Sequence, residues 1–290
     1  MKSVIEIKDL KKYYGKKRGA ENISFSVNEG EIFGFLGSNG AGKSTTIRCA
    51  LGLIRPSGGS VDVLGMPMPE KRREILSRTG YLPSEAMFYP TMTVAETIRF
   101  AADIRKKDCS DRAKKLCDTL GLDRTKKIGE LSLGNRKKVS IVCALQHDPE
   151  LLILDEPTSG LDPLIQEIFF ELLHRRCANG ASCLFSSHIL PEVRKHCDRA
   201  AIIRDGSSIL RVDTVENLTK SSSKAVRVEG IDALPKLEGI HDEKKTPEGF
   251  RFGYNGEISA LISALAPLEV SDLLITEPEL EEAFMKYYRG

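Results

Sequence analysis

From residue 4 to residue 213 short apolar, β-branched runs alternate with stretches of helical period, and several of the apolar runs close on a glycine or a carboxylate. That order predicts a largely parallel sheet covered by helices, an α/β architecture. The clearest strands fall at 31–36, 151–155, 181–186 and 199–204. Between 92 and 146 the pattern turns mostly helical, with helices expected over 93–106, 110–120 and 133–146, so a helical subdomain is inserted into the α/β core. A helical turn is expected at 214–220. The polar run Ser221, Ser222, Ser223 then reads as a linker, which divides the chain into domains 1–220 and 221–290. Past it, strands at 225–229, 239–244, 249–254 and 268–275 interleave with helices at 233–237 and 257–265. This βαββαβ order predicts a small ferredoxin-like α+β domain. A last helix is expected after Thr276, which forms a capping box with Glu279 and precedes an apolar stripe of Leu280, Ala283, Phe284, Tyr287 and Tyr288.

The chain has 290 residues, of which 41% are hydrophobic and 29% charged, the composition of a soluble globular protein. The longest stretch free of Lys, Arg, Asp and Glu, 177–191, is shorter than the ~20 apolar residues that a spanning helix needs. The first residues mix charge and hydrophobe without an apolar core, so they do not read as a secretory signal. A net charge of +2 does not demand an anionic partner. Seven scattered cysteines, none in a CxxC pair, argue against a disulfide framework or a zinc site and fit reduced thiols in a cytosol.

The chemistry begins at 37–45, where the strand at 31–36 runs into Gly37, Ser38, Asn39, Gly40, Ala41, Gly42, Lys43, Ser44 and Thr45 and then into a helix. This is the strand, loop, helix context that the P-loop pattern GxxxxGK followed by Ser or Thr requires. The glycines let successive backbone N–H groups wrap phosphate oxygens at a helix N-terminus. Lys43 is placed to bridge β- and γ-phosphates, and the Ser44 hydroxyl to ligate Mg²⁺. Downstream, the apolar strand at 151–154 ends in Asp155 and Glu156, which brings two carboxylates to the edge where open α/β sheets bind ligands. Asp155 is the candidate metal partner and Glu156 the candidate general base.

These residues resemble the ATP-binding cassette (ABC) ATPases, and the motifs occur in that family's order over 1 to about 215. Leu131, Ser132, Leu133, Gly134 and Asn135 resemble the LSGGQ signature, and Ser159 to Asp162 resemble the D-loop. His188 stands where the switch histidine lies, and Tyr14 matches the aromatic that stacks on adenine. The resemblance implies a P-loop NTPase fold, ATP and Mg²⁺ as cofactors, and two cassettes meeting head to tail. Ser132 and Gly134 of one chain would then face the ATP held by the other, and His188 would hold the γ-phosphate and the attacking water in line. Leu133, Asn135 and Ser84 depart from the family pattern, which has Gly, Gln and Gln at those positions.

The resemblance further implies an ATPase subunit of a transporter, on the cytoplasmic face of the membrane, docked to a separate transmembrane permease. The competing reading is an ABC ATPase acting on nucleic acid or the ribosome, for which the basic run at 11–18 speaks. The near-neutral charge and the lack of sustained heptads between Lys43 and Asp155 speak against it, so nucleic acid is not expected as a partner. Glu277, Pro278, Leu280, Glu281 and Phe284 resemble the Glu-Pro-x-Leu-Glu-x-x-Phe ending of ABC-2 type exporter ATPases, which favours export.

Overall fold

The computed structural model describes residues 2–204, 208–219 and 224–276. It divides into two compact units, Met1–Val215 and Glu216–Gly290. The first unit opens with a hairpin of β1 (Ser3–Tyr14) and β2 (Lys17–Asn28), then β3 (Ile32–Leu36) and, past the glycine loop, α1 (Lys43–Ala50). Next come β4 (Gly58–Val63), β5 (Met66–Pro67), α2 (Arg72–Arg78) and β6 (Thr79–Leu82). Helices α3 (Val94–Ile104), α4 (Ser110–Thr119) and α5 (Leu133–Leu145) form the helical insertion close to the expected bounds. The unit ends with β7 (Leu151–Asp155), α6 (Pro163–Ala178), β8 (Ser182–Ser187), α7 (Leu190–His196), β9 (Arg199–Arg204) and β10 (Ser208–Thr214).

Two sheets result. The larger has the order β10-β9-β3-β8-β7-β6; its inner pairs are parallel and β10 runs antiparallel at the edge. Its strands β3, β7 and β8 are buried along their whole length, as central strands between covering layers are, although β8 carries three buried serines and β7 ends in Asp155. The smaller sheet, β2-β1-β4-β5, is antiparallel. It corrects the expectation that the strand, loop, helix alternation starts at residue 4. Phe25 of β2 stacks on Phe33 and tilts against Phe35 of β3, with ring centroids 5.4 and 5.1 Å apart. Helix α1 packs against β1, β2, β4 and β7, and the fully buried Ile47 and Ala50 fill that space. Burying a side chain the size of Ile47 contributes about 1.5–3 kcal/mol. The layers therefore fix the helix whose N-terminus carries the glycine loop.

The second unit holds α8 (Val215–Thr219), β11 (Lys224–Glu229), β12 (Ile240–Thr246), β13 (Gly249–Tyr254), α9 (Ile258–Leu265) and β14 (Asp272–Thr276). Its antiparallel sheet has the order β12-β13-β11-β14, the strand order of a ferredoxin-like domain. Val226, Val228, Phe252, Tyr254, Leu261 and Leu265 form its core. The helix expected at 233–237 is absent: that segment is irregular, because Pro235 removes a backbone donor from a run too short to compensate. The last strand starts at Asp272 rather than 268. The linker serines at 221–223 and the terminal helix expected after Thr276 lie outside the described residues. Among the described residues no helix is long and apolar enough to cross a membrane. All seven cysteines are free.

Candidate functional site

Strand β3 delivers the glycine loop to the carboxyl edge of the parallel sheet. Gly37 is held there by a bond from its N–H to the Ser187 carbonyl at 3.3 Å, and it packs so closely that a Cβ would lie 2.7 Å from the Ile203 carbonyl oxygen. The loop and its surroundings line a cleft of about 520 Å³ with Tyr14, Lys17, Arg18, Ser84 and Glu156 around the rim. Within it Lys43, buried, donates to the carbonyls of Gly37 at 2.6 Å and Ser38 at 3.1 Å and lies 3.1 Å from Glu156 Oε1.

The two carboxylates at the end of β7 are set by the register of β7 on β8, which puts Asp155 beside Ser186. Asp155 is buried. Its Oδ1 accepts from the Ser186 hydroxyl at 2.7 Å, while Oδ2 is buried with no hydrogen-bond partner. A buried carboxylate oxygen without a partner suits a hard divalent cation, for which Ser44 on the cleft wall would be the second protein oxygen. At Glu156 the backbone leaves the strand with φ +48°, a left-handed conformation that costs a side-chain-bearing residue roughly 1–2 kcal/mol. Its N–H is shared between the Ser186 carbonyl at 3.2 Å and hydroxyl at 3.1 Å. The Glu156 side chain lies between two groups: Oε2 accepts from the His188 ring, whose Nδ1–H donates at 2.8 Å, and Oε1, which has no hydrogen bond, faces the Lys43 ammonium in an ion pair at 3.1 Å. Tyr14, 46% exposed, lies close to Gly19 with the Lys12 ammonium 5.3 Å from its ring centre, and it lines the cleft.

Ser132 and Gly134 are not among the residues that line this cleft. Ser132 caps α5, and its hydroxyl accepts from Asn135 N–H at 3.3 Å, which accounts for a small polar residue there. Gly134 lies against the D-loop: a Cβ on it would sit 2.8 Å from the Gly160 carbonyl oxygen, so only glycine fits. Leu133, where the family pattern has glycine, projects outward and is 63% exposed. The Ser84 loop brings Ser84 to the cleft and leaves Glu85 exposed. The basic run at 11–18 does not form one patch. Lys12 donates to the Arg55 carbonyl at 2.8 Å, while Lys17 and Arg18 line the cleft, and Arg18 also lies 3.8 Å from Glu21. No motif revealed the contacts of Ser186 with Asp155 and Glu156 or the place of Lys17 and Arg18 on the cleft wall.

Residues 20–159 match the ABC transporter family. Over 100% of this chain and 99% of the relative, the sequence is 34% identical to the bacitracin transport ATP-binding protein of Bacillus licheniformis. The chain belongs to the ABC transporter ATP-binding proteins. It is also 31% identical to the linearmycin resistance ATP-binding protein of Bacillus subtilis, covering 97% of each. Among solved structures, an ATP-binding subunit of an ABC transporter is 31% identical with a TM-score of 0.70, covering 74% of this chain and 92% of that one. A dimeric post-hydrolysis cassette bound to ADP and Pi, 22% identical with a TM-score of 0.67, shares the fold. As an ABC ATPase the protein binds and hydrolyses ATP.

The tight seat of the glycine loop gives a direct check. Gly37→Ala forces the loop away from the Ile203 carbonyl and should weaken ATP binding at least tenfold, about 1.4 kcal/mol, in a calorimetric titration. Unchanged affinity would show that this contact does not set the loop.

Proposed function

We propose that this chain is the ATP-hydrolysing subunit of an exporter whose permease is a separate membrane polypeptide, and that hydrolysis runs on the Lys43, Asp155, Glu156 and His188 constellation. The observation that carries the site assignment is the two-sided clamp on Glu156 at the mouth of the cleft. Lys43 is an ammonium with two anionic claimants, the β- and γ-phosphates of ATP and the Glu156 carboxylate. Handing it to the phosphates frees Oε1 to accept a proton from water. His188 keeps Oε2 in place and orients the carboxylate toward the attacking water. Backbone N–H groups of the loop and the Lys17 and Arg18 side chains add positive charge along the phosphates. Asp155 and Ser44 would hold Mg²⁺, which neutralises charge developing between the β- and γ-oxygens. Tyr14 offers its exposed face to the adenine.

Export is supported by what similar proteins are called: bacitracin transport, linearmycin resistance and, for a Burkholderia orbicola relative 35% identical over 71% of this chain, Nod factor export. A separate permease and a place on the cytoplasmic face of the membrane follow from that reading, since no described helix spans a bilayer. Residues 1–220 would be the nucleotide-binding domain and 221–290 an accessory domain.

Glu156→Gln keeps the shape and one acceptor of the side chain but removes the base, so turnover should fall about 10²- to 10⁴-fold with ATP affinity retained. Lys43→Ala should instead lose affinity. Wild-type turnover in Glu156→Gln would take Glu156 out of the role. Affinity purification of the chain from solubilised membranes should bring down a polytopic membrane protein, and recovery of nucleic acid or ribosomes in its place would overturn the transport reading. A chain lacking residues 222–290 should still bind ATP; loss of binding would show the tail to be part of the nucleotide site.

A further inference from the structure

Helix α5 starts beside Ser132, and its second turn carries Lys137, a lysine only 4% exposed. The ammonium donates to three backbone carbonyls, Pro83 at 3.1 Å, Ser84 at 3.0 Å and Glu156 at 2.9 Å. A lysine has three N–H donors and no acceptor, so these oxygens satisfy it completely. Burying a cation is costly: desolvation pulls this ammonium down to about 8, against the opposing pull of Asp155 and Glu156. An unbranched apolar side chain would fill the same space without that cost. What a methionine cannot supply is the three donors, and their targets are specific. Pro83 and Ser84 follow β6, and Ser84 lines the ATP cleft. Glu156 is the left-handed turn residue, and the direction of its carbonyl is one of the two things such a turn sets; the other is the direction of the side chain.

We propose that Lys137 is a positioning residue for hydrolysis, locking the turn at Glu156 and tying it to the Ser84 loop so that the carboxylate stays aimed into the cleft. Three segments distant in sequence, the signature helix, the Ser84 loop and the end of β7, meet at one amino group. A displacement of the Ser84 loop is therefore transmitted to the backbone of Glu156 without passing through the phosphate loop. The inference rests on the reading of Glu156 as the base. It adds a residue that touches neither ATP nor water.

The test is steady-state ATPase kinetics of Lys137→Met, Lys137→Gln and Lys137→Arg beside Glu156→Gln, with ATP affinity measured separately. Lys137→Met should lower kcat about 10- to 100-fold, the usual effect of misplacing a catalytic group by about an ångström, with the ATP dissociation constant within about twofold of wild type. Lys137→Arg, which keeps charge and donors, should recover part of that loss, and Lys137→Gln, with two donors, should fall between arginine and methionine. Amide exchange over 80–88 should quicken in Lys137→Met. Wild-type kcat in Lys137→Met, or a loss confined to ATP affinity, would overturn the proposal. If Lys137→Met does not fold, wild-type kcat in Lys137→Gln overturns it in its place. Loss of turnover in Glu156→Gln with normal Lys137 variants removes Lys137 alone, whereas normal turnover in Glu156→Gln removes the base assignment beneath it.

Discussion

The site depends on how the chain leaves strand β7. In a strand successive side chains point to opposite faces, which would send Asp155 and Glu156 apart. The left-handed backbone at Glu156 breaks that alternation and turns the second carboxylate back toward Lys43 while the first stays buried against Ser186. So strained a residue persists only where its surroundings over-determine it. Here they do: the N–H is held by Ser186, the carbonyl by Lys137, and the two carboxylate oxygens by Lys43 and His188. Those partners come from three parts of the fold: Ser186 and His188 from β8 and the residue that follows it, Lys137 from α5 and Lys43 from α1. The packing of β3, β7, β8 and α1 is therefore what makes the chemistry possible, and a slip in register between β7 and β8 would dismantle it.

How much of this was legible in the sequence follows from how local each signal is. The glycine loop and the Asp155, Glu156 pair are short motifs at strand ends, where the residues that act are those that fold the turn, and the structure brings them together. The three helices of the insertion showed in their period, and the structure adds Thr93 and Ser132 as the caps of α3 and α5. The N-terminal hairpin did not show. Its first strand slips register around Asp9, where the backbone also turns left-handed, so burial does not alternate with a clean period of two. Pro235 in the second unit is a local signal that outweighed an apolar pattern too short to make a helix. Lys137 was invisible for a different reason: its partners are main-chain carbonyls, which carry no residue identity, on segments at 83–84 and 156 that only the fold brings within reach.

Ser132 and Gly134 complete the physical picture by their position. They sit at the start of α5, away from the residues that line the cleft of their own chain, and the close approach of Gly134 to the Gly160 carbonyl joins the signature to the D-loop as one surface. Leu133 adds an exposed apolar side chain to that surface. On the reading proposed above, a helix N-terminus of this kind would stabilise γ-phosphate charge presented by another molecule, and the complete site would then belong to two chains rather than one.

Sedimentation velocity of the Glu156→Gln protein with ATP and Mg²⁺ measures that claim most directly, because slow hydrolysis leaves the assembled state populated. The account predicts an ATP-dependent shift from monomer to dimer that Gly134→Asp abolishes by clashing with the Gly160 carbonyl and repelling phosphate. A monomer at saturating ATP, or a dimer indifferent to both ATP and Gly134→Asp, would contradict it.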